Sequence, residues 1–206
     1  MKYTREKIEE AMASKGYKYF TDNNNKNYDV NIIGIRNEET KGRVTNAFDD
    51  KITISYKIDG EWQYHEFNCT TDPGTHWVEN CVKSYGKGVA ILKPGQYRGS
   101  HKIRLHGGKY TALGQKSPVT VYRDDNLDEV YDCTEEDTTT GVYGINIHRA
   151  TAKSGGTSTR VDRWSAGCQV IANNDDWNEF LSICQEAREI HGNSFSYTLL
   201  ESNDIK

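Results

Sequence analysis

The segment RWSAGCQVI, residues 163–171, places a cysteine where it could act as a nucleophile. Three small residues, Ser165, Ala166 and Gly167, precede Cys168, so a carbonyl substrate could come close to the backbone. We expect the N–H groups of Gly167 and Cys168 to be free to stabilise a developing oxyanion. Because a thiol with an ordinary pKa is mostly protonated at neutral pH, Cys168 also needs a base beside it.

His148 is the candidate for that base. It ends the segment YGINIH (143–148), whose apolar residues predict a buried strand. Sixteen residues separate His148 from Ser165, and Ser165 is expected either to hydrogen-bond His148 or to shape the turn before Cys168. The pair predicts acyl transfer, in which His148 takes the thiol proton and the thiolate attacks an amide carbonyl to give a thioacyl-enzyme.

These two motifs resemble those of the L,D-transpeptidase catalytic domain, in which a histidine precedes a Ser/Thr-x-Gly-Cys turn. Looser matches at FNCTTDPGT (67–75) and KPGQY (93–97) extend the resemblance over about residues 48–171. The order of the segments also resembles proteins encoded by bacteriophages. The resemblance implies a β-rich α+β fold with an L,D-transpeptidase-like β-sandwich or barrel core and peripheral helices. It also implies action on peptidoglycan stem peptides, with a backbone carbonyl able to orient His148.

Two positions depart from the family's pattern. Ala166 stands where the family usually has a second histidine, and Gln169 stands where it usually has an arginine. The first change is compatible with catalysis, since the upstream histidine is the base. Gln169 cannot bind the substrate carboxylate as that arginine would, so another arginine is expected to do so. A guanidinium binds a carboxylate in bidentate fashion, and three arginines lie near in sequence, Arg149, Arg160 and Arg163. Which of them does so stays open.

Three further residues are candidates for binding substrate. His106 ends a predicted strand (101–106) in a glycine-rich setting and is either a pocket residue or a polar residue of a sheet face or turn. Tyr143 and Trp164 flank the two motifs and either pack or line a peptide groove. His101 is expected to be a polar residue of the sheet, because its spacing from His106 does not suit a zinc peptidase. We therefore predict neither a metal site nor a cofactor.

Composition restricts the class of protein. The 206 residues carry a formal net charge of −4 with no basic stripe, so nucleic acid is not a predicted partner. No apolar run is long enough to span a membrane, and the N-terminus lacks the apolar region of a Sec signal. Five cysteines without a C-x-x-C pair suggest a reducing compartment. We expect synthesis in a host cytoplasm and action on the cell wall, with association with a virion as an alternative.

Residues 1–27 are predicted to form an N-terminal helical arm, and residues 28–206 the catalytic domain. A helix is expected over 4–15, capped by Thr4 and ended near Gly16. The arm is expected to pack on the main domain, and the alternative is contact with a virion or assembly partner.

Strand signals dominate after the arm. Asp59-Gly60 is a strong hairpin turn, and one helix is predicted over about Asp175–His191, with Asn174 or Asp175 as its cap and Gly192 as its stop. The predicted strands cover residues 28–36, 51–58, 61–67, 88–97, 101–106, 109–115, 118–124, 143–148 and 196–202.

Several functions fit these features. Hydrolysis of stem peptides by a phage L,D-carboxypeptidase or endopeptidase is predicted first, because the departures at Ala166 and Gln169 loosen the tie to cross-linking enzymes. L,D-transpeptidation is the nearest alternative. A virion or assembly protein could instead keep the fold without catalysis, and a cytoplasmic cysteine hydrolase could act on another amide. Retention of both His148 and Cys168 favours an enzyme.

Overall fold

The computed structural model describes residues 2–21, 26–126 and 130–206, so residue 1 and residues 22–25 of the predicted arm lie outside it. The described part contains three α-helices, α1 (Arg5–Ser14), α2 (Thr75–Tyr85) and α3 (Asn174–His191). It also contains eleven strands, β1 (Asn31–Arg36), β2 (Asp50–Ile58), β3 (Glu61–Thr70), β4 (Val89–Leu92), β5 (Gly95–His106), β6 (Tyr110–Gln115), β7 (Val119–Asp124), β8 (Thr138–Gly141), β9 (Ile147–Arg149), β10 (Gln169–Ile171) and β11 (Phe195–Glu201).

Eight of these strands close into a barrel in the order β1–β11–β5–β6–β9–β10–β3–β2. Strands β4, β7 and β8 form a separate antiparallel sheet. Within the barrel, β1 runs parallel to β11 and β9 runs parallel to β10, while the other neighbours are antiparallel. The β-rich α+β class predicted from the sequence is confirmed.

Both faces of β1 are buried, which explains its continuous apolar sequence. Ile32 belongs to the main core of the barrel. Ile33 and Ile35 instead pack with Ile8 and Met12 of α1 in a second apolar cluster. The helix of the predicted arm therefore covers the outer side of this strand.

Helix α3 contributes Trp177, Phe180 and Cys184 to the main core. Its cap is Asn173, one residue before the earlier of the two predicted caps, Asn174. The Asn173 side chain is better placed because its Oδ1 accepts from two N–H groups of the first turn, at 2.7 and 3.0 Å. No helix in the described ranges is long and apolar enough to cross a membrane.

Helix α2 is absent from the sequence prediction. Its N-terminal cap, Gly74, offers no side-chain hydrogen bond, so the usual local signal is missing. The helix is held by packing instead, with Val78 and Cys81 buried against Val89 of the small sheet. The Gly74 N–H donates to the carbonyl of Ser165 at 2.9 Å, which ties the start of α2 to the loop before Cys168.

The predicted strand over residues 143–148 is mostly irregular, because β9 covers Ile147–Arg149. The N–H groups of Tyr143 and Ile145 donate to the side-chain Oε1 of Gln115, at 3.1 and 2.9 Å, rather than to a neighbouring strand. Gln115 is itself fully buried. The Gln115 side chain thus accepts the hydrogen bonds that a neighbouring strand would otherwise accept from the residues just before His148.

Candidate active site

The barrel places His148 on β9 and Cys168 directly before β10, the neighbouring parallel strand. In the parallel pair of β9 and β10, His148 lies opposite Val170 and Ile147 lies opposite Gln169. Cys168 precedes Val170 by two residues. The Cys168 thiol donates to the Gly144 carbonyl at 3.2 Å and makes no hydrogen bond to His148. Catalytic hydrogen bonds often form only when substrate binds.

Burial controls the ionisation of the thiol. It raises the pKa of Cys168 to about 11, and the backbone N–H of Asn146 opposes this rise by favouring the thiolate. Cys168 as a whole residue is nevertheless half-buried rather than fully buried. Cys168 is therefore a neutral thiol at pH 7, and its reactivity depends on a base.

His148 has the protonation state that a base requires. Its Nδ1 lies 2.9 Å from the Arg149 carbonyl, and since a carbonyl only accepts, Nδ1 carries the proton and Nε2 is bare. Burial, with the neighbouring His106, lowers the pKa of His148 to about 4. The imidazole is thus neutral near pH 7, and the Arg149 carbonyl orients it in the role that an aspartate has in other triads.

Tyr110 supports His148 from the same side as that carbonyl. Its Oη lies 3.2 Å from Nδ1 of His148 and donates to the Arg149 carbonyl at 3.5 Å. The Arg149 guanidinium lies 4.4 Å from the centre of the Tyr110 ring. Tyr110 carries no signal in the sequence, because it lies on β6, far from both motifs along the chain.

We expect a Tyr110→Phe variant to lose about three- to tenfold in kcat, because one neutral hydrogen bond contributes about 0.5–1.5 kcal/mol. The Phe ring keeps the contact with the Arg149 guanidinium and loses the hydroxyl. Steady-state kinetics on a soluble peptide substrate would measure the effect, with Tyr85→Phe, on the exposed end of α2, as the matched control. A Tyr110→Phe variant with wild-type kcat would remove Tyr110 from the site.

The turn before Cys168 departs from one sequence expectation. Ser165 Oγ donates to the Cys168 carbonyl at 2.8 Å and accepts from the Gly167 N–H at 3.0 Å. Ser165 therefore shapes the turn, and the Gly167 amide is not free for an oxyanion as predicted. In the part of the chain that the structure describes, the Cys168 N–H has no hydrogen-bond partner, so this amide keeps its predicted availability.

Gln169, which stands where the L,D-transpeptidase domain usually has an arginine, faces away from the thiol of Cys168. Its side chain is fully buried inside the barrel, where Oε1 accepts from the Tyr197 hydroxyl at 2.7 Å and Nε2 donates to the Gly167 carbonyl at 3.2 Å. The adjacent Cys168, directly before β10, instead has its thiol at the Gly144 carbonyl. The Gln169 side chain thus stabilises the turn before Cys168 from inside the barrel, and it does not reach a substrate bound at the thiol.

Two side chains of β5, those of Arg104 and His106, lie over β6 on the side of the sheet that carries His148. Ala112 and Gly114 are the small residues there, and a Cβ on Gly114 would overlap the side chain of Arg104. His106 stacks on His148, with ring centres 4.3 Å apart and an interplanar angle of 30°. Arg104 was missed in the sequence analysis, although strand alternation puts it on the face of His106. Among the described residues, its guanidinium has no hydrogen-bond or ion-pair partner.

The other predicted substrate-binding residues differ in their exposure to solvent and in their contacts. Arg149 donates to Asn174 at 3.4 Å, in addition to its contact with Tyr110. Arg163 and Trp164 are exposed on the loop before Cys168, with Trp164 44% exposed. Tyr143 is half-buried and its ring lies 4.6 Å from the guanidinium of Arg123. Arg160, also considered for the carboxylate, lies 3.5 Å from an oxygen of Asp162.

Protein-family models, curated proteins and solved structures gave no match to the chain. The geometry of the site is therefore the basis for any functional conclusion. Within residues 2–21, 26–126 and 130–206, no group of three or more His, Cys, Asp or Glu side chains is placed to hold a metal ion.

Proposed function

We propose that the protein is a cysteine enzyme that transfers acyl groups of peptidoglycan stem peptides, mainly to water, on a barrel of the L,D-transpeptidase type. One observation carries the proposal. A neutral imidazole with a bare Nε2, that of His148 on β9, lies beside the start of β10, where the half-buried Cys168 holds its thiol. A nucleophile with a positioned base is the arrangement that acyl transfer through a thioester needs.

The reaction begins when Cys168 gives its thiol proton to Nε2 of His148. Sulfur then bonds to the amide carbonyl carbon, and the carbonyl π electrons move to oxygen. Collapse of this intermediate breaks the C–N bond, and the imidazolium of His148 protonates the leaving amine, which leaves a thioester. Water gives a proton to His148 as it attacks the thioester. The C–S bond breaks, the thiol is restored and a carboxylic acid is released.

The acceptor decides between the two outcomes. Water gives hydrolysis, whereas an amine of a second stem peptide gives a cross-link from the same thioester. We place hydrolysis first because a bacteriophage protein, which this sequence resembles, gains from opening a wall. Origin in a phage and action at the wall or in a virion belong to this proposal.

A stem peptide offers carboxylates, and three arginines surround the site. Arg104 is the best placed, since its unpaired guanidinium lies on the face that carries His106 and His148. Arg149 is partly engaged by Tyr110 and Asn174. Arg163 is exposed on the loop before the nucleophile, beside Trp164, which offers an apolar surface for the peptide.

Purified peptidoglycan incubated with the protein tests the proposal. We expect wild-type protein to release peptides in which each cleaved amide has gained one water, as measured by liquid chromatography and mass spectrometry. A Cys168→Ala variant should release none, because it has no sulfur to form the thioester. The matched control is Cys133→Ser, which removes another exposed thiol and should behave as wild type.

Three other outcomes of this peptidoglycan experiment would assign a different function. New cross-linked dimers that depend on Cys168 would assign transpeptidation. Identical products from wild type and Cys168→Ala would contradict the enzyme proposal and favour a non-enzymatic virion or assembly protein. Cleavage of a simple amide without cleavage of peptidoglycan would assign a different cysteine hydrolase.

A further inference from the structure

When a thiolate attacks a carbonyl, the carbonyl oxygen becomes negatively charged and needs hydrogen-bond donors. Our inference about those donors at Cys168 rests on the proposed function. Such donors are commonly arranged in pairs, and losing one lowers kcat by about 10²–10³-fold. The Cys168 N–H is one candidate. The Gly167 N–H is occupied by Ser165 Oγ at 3.0 Å, so the second donor must come from outside the nucleophile turn.

A chain of hydrogen bonds fixes the proton on His106. The backbone N–H of Gln115 donates to Asn146 Oδ1 at 2.8 Å, which sets the orientation of that amide. Asn146 Nδ2 then lies 3.2 Å from Nδ1 of His106. Because an amide nitrogen only donates, Nδ1 of His106 accepts, and the neutral ring carries its proton on Nε2.

The charged and titratable groups around His106 keep it neutral. Arg104 lies on the same strand, Tyr110 lies 5.3 Å away between ring centres, and His148 is stacked against it. Burial and the positive charge of Arg104 lower the pKa of His106. A second proton would also have to occupy Nδ1, which accepts from Asn146. His106 is thus a donor at Nε2 and not a competing base.

His106 lies against His148 and is linked to Cys168 through Asn146. Asn146 connects the two sides of the site, since its side chain holds His106 and its backbone N–H lies beside the Cys168 sulfur. His106 also covers one face of the base, His148. Among the residues that the structure describes, Nε2 of His106 has no hydrogen-bond partner. We propose that the His106 Nε2–H donates to the oxyanion formed when Cys168 attacks a carbonyl, together with the Cys168 N–H.

Two reagents separate this role from simple support of His148. Iodoacetamide alkylates the thiol without forming an oxyanion, so its rate reports the action of the base alone. p-Nitrophenyl acetate acylates the same thiol through a tetrahedral oxyanion, so its rate also reports the donors. Both rates are measured at Cys168 by peptide mass spectrometry in a Cys133→Ser background, which removes a competing exposed thiol.

The decisive variants are His106→Phe, which keeps an aromatic ring against His148 and has no donor, and His106→Gln, which keeps an N–H donor. For His106→Phe we expect acylation to fall about 10²-fold while alkylation changes less than about twofold. His106→Gln should recover about tenfold in acylation over His106→Phe.

Equal losses in both reactions would show that His106 only supports the base, and no loss in acylation would remove it from the site. Either result overturns the inference and leaves the proposed function standing. If wild-type Cys168 is alkylated no faster than the other cysteines, the proposed function fails, and the inference fails with it.

Discussion

A His148→Ala variant is expected to lose about 10³–10⁴-fold in the rate of Cys168 acylation at pH 7. Burial raises the pKa of the Cys168 thiol to about 11, so without a base roughly one molecule in 10⁴ carries a thiolate at neutral pH. In the wild type, Nε2 of His148 removes the proton during attack, so the reaction does not depend on this small thiolate population.

The pH dependence gives a sharper signature than the loss itself. In the wild type, low pH protonates His148, whose pKa of about 4 implies that acylation declines only as pH falls toward that value. Between about pH 5 and 8 the rate should be nearly flat. In His148→Ala the rate should rise about tenfold per pH unit until the thiol ionises near pH 11, because the thiolate fraction rises in that proportion.

The measurement is acylation by p-nitrophenyl acetate from pH 4 to 10, followed at Cys168 in the Cys133→Ser background. His191→Ala is the matched control, since His191 ends α3 and donates to the Asn27 carbonyl, at the opposite end of the helix from Asn174. That control should keep the flat profile of the wild type. A flat profile in His148→Ala would mean that another group is the base.

Local sequence rules predicted the parts of the fold that depend on nearby residues. Asp59 and Gly60 both have positive φ, 51° and 88°, as the hairpin turn between β2 and β3 requires. The spacing of apolar residues also predicted the buried face of α3, and Gly192 predicted its C-terminal end. These elements follow from interactions within a few residues, so one stretch of sequence is enough to predict them.

Helix α2 and the short β9 depend instead on distant parts of the chain. Gly74 starts α2 without a side-chain cap, and a Cβ there would overlap the backbone of Asp162, so this glycine is required by a distant loop. The end of the predicted strand at residues 143–148 depends on Gln115, whose side chain takes two of its N–H groups. No periodicity within either segment contains that information.

The candidate site divides in the same way. His148 and Cys168 were found from their own segments, and the barrel places His148 on β9 and Cys168 at the start of the neighbouring β10. Tyr110, Arg104 and Asn146 were not found, because their relation to that pair arises from the closure of β5, β6 and β9 into one sheet. The loss of the Gly167 amide to Ser165 is a local effect, but it depends on a backbone conformation that residue types alone do not specify.

Gly167 is the second position at which we expect a large effect. It is buried with φ of 133°, a conformation that side-chain-bearing residues rarely adopt. A Cβ at this position would overlap the carbonyl oxygen of Ala90, in β4, and the obstacle is backbone that no rotamer change can move. We therefore expect Gly167→Ala to lower the free energy of unfolding by about 3–5 kcal/mol, the range of the severest single substitutions.

Gly60→Ala is the matched control, because it separates backbone strain from steric overlap. Gly60 also has positive φ, 88°, but nothing lies within 4 Å of a Cβ built there. Its substitution should cost about 1–2 kcal/mol through the left-handed backbone alone. Urea unfolding followed by tryptophan fluorescence would measure both variants.

Acylation of Cys168 should fall in Gly167→Ala even under conditions where the variant is folded, because the turn that presents the thiol must shift away from β4. Equal destabilisation of the two variants would mean that the turn is not pressed against Ala90 and that its shape does not depend on this contact.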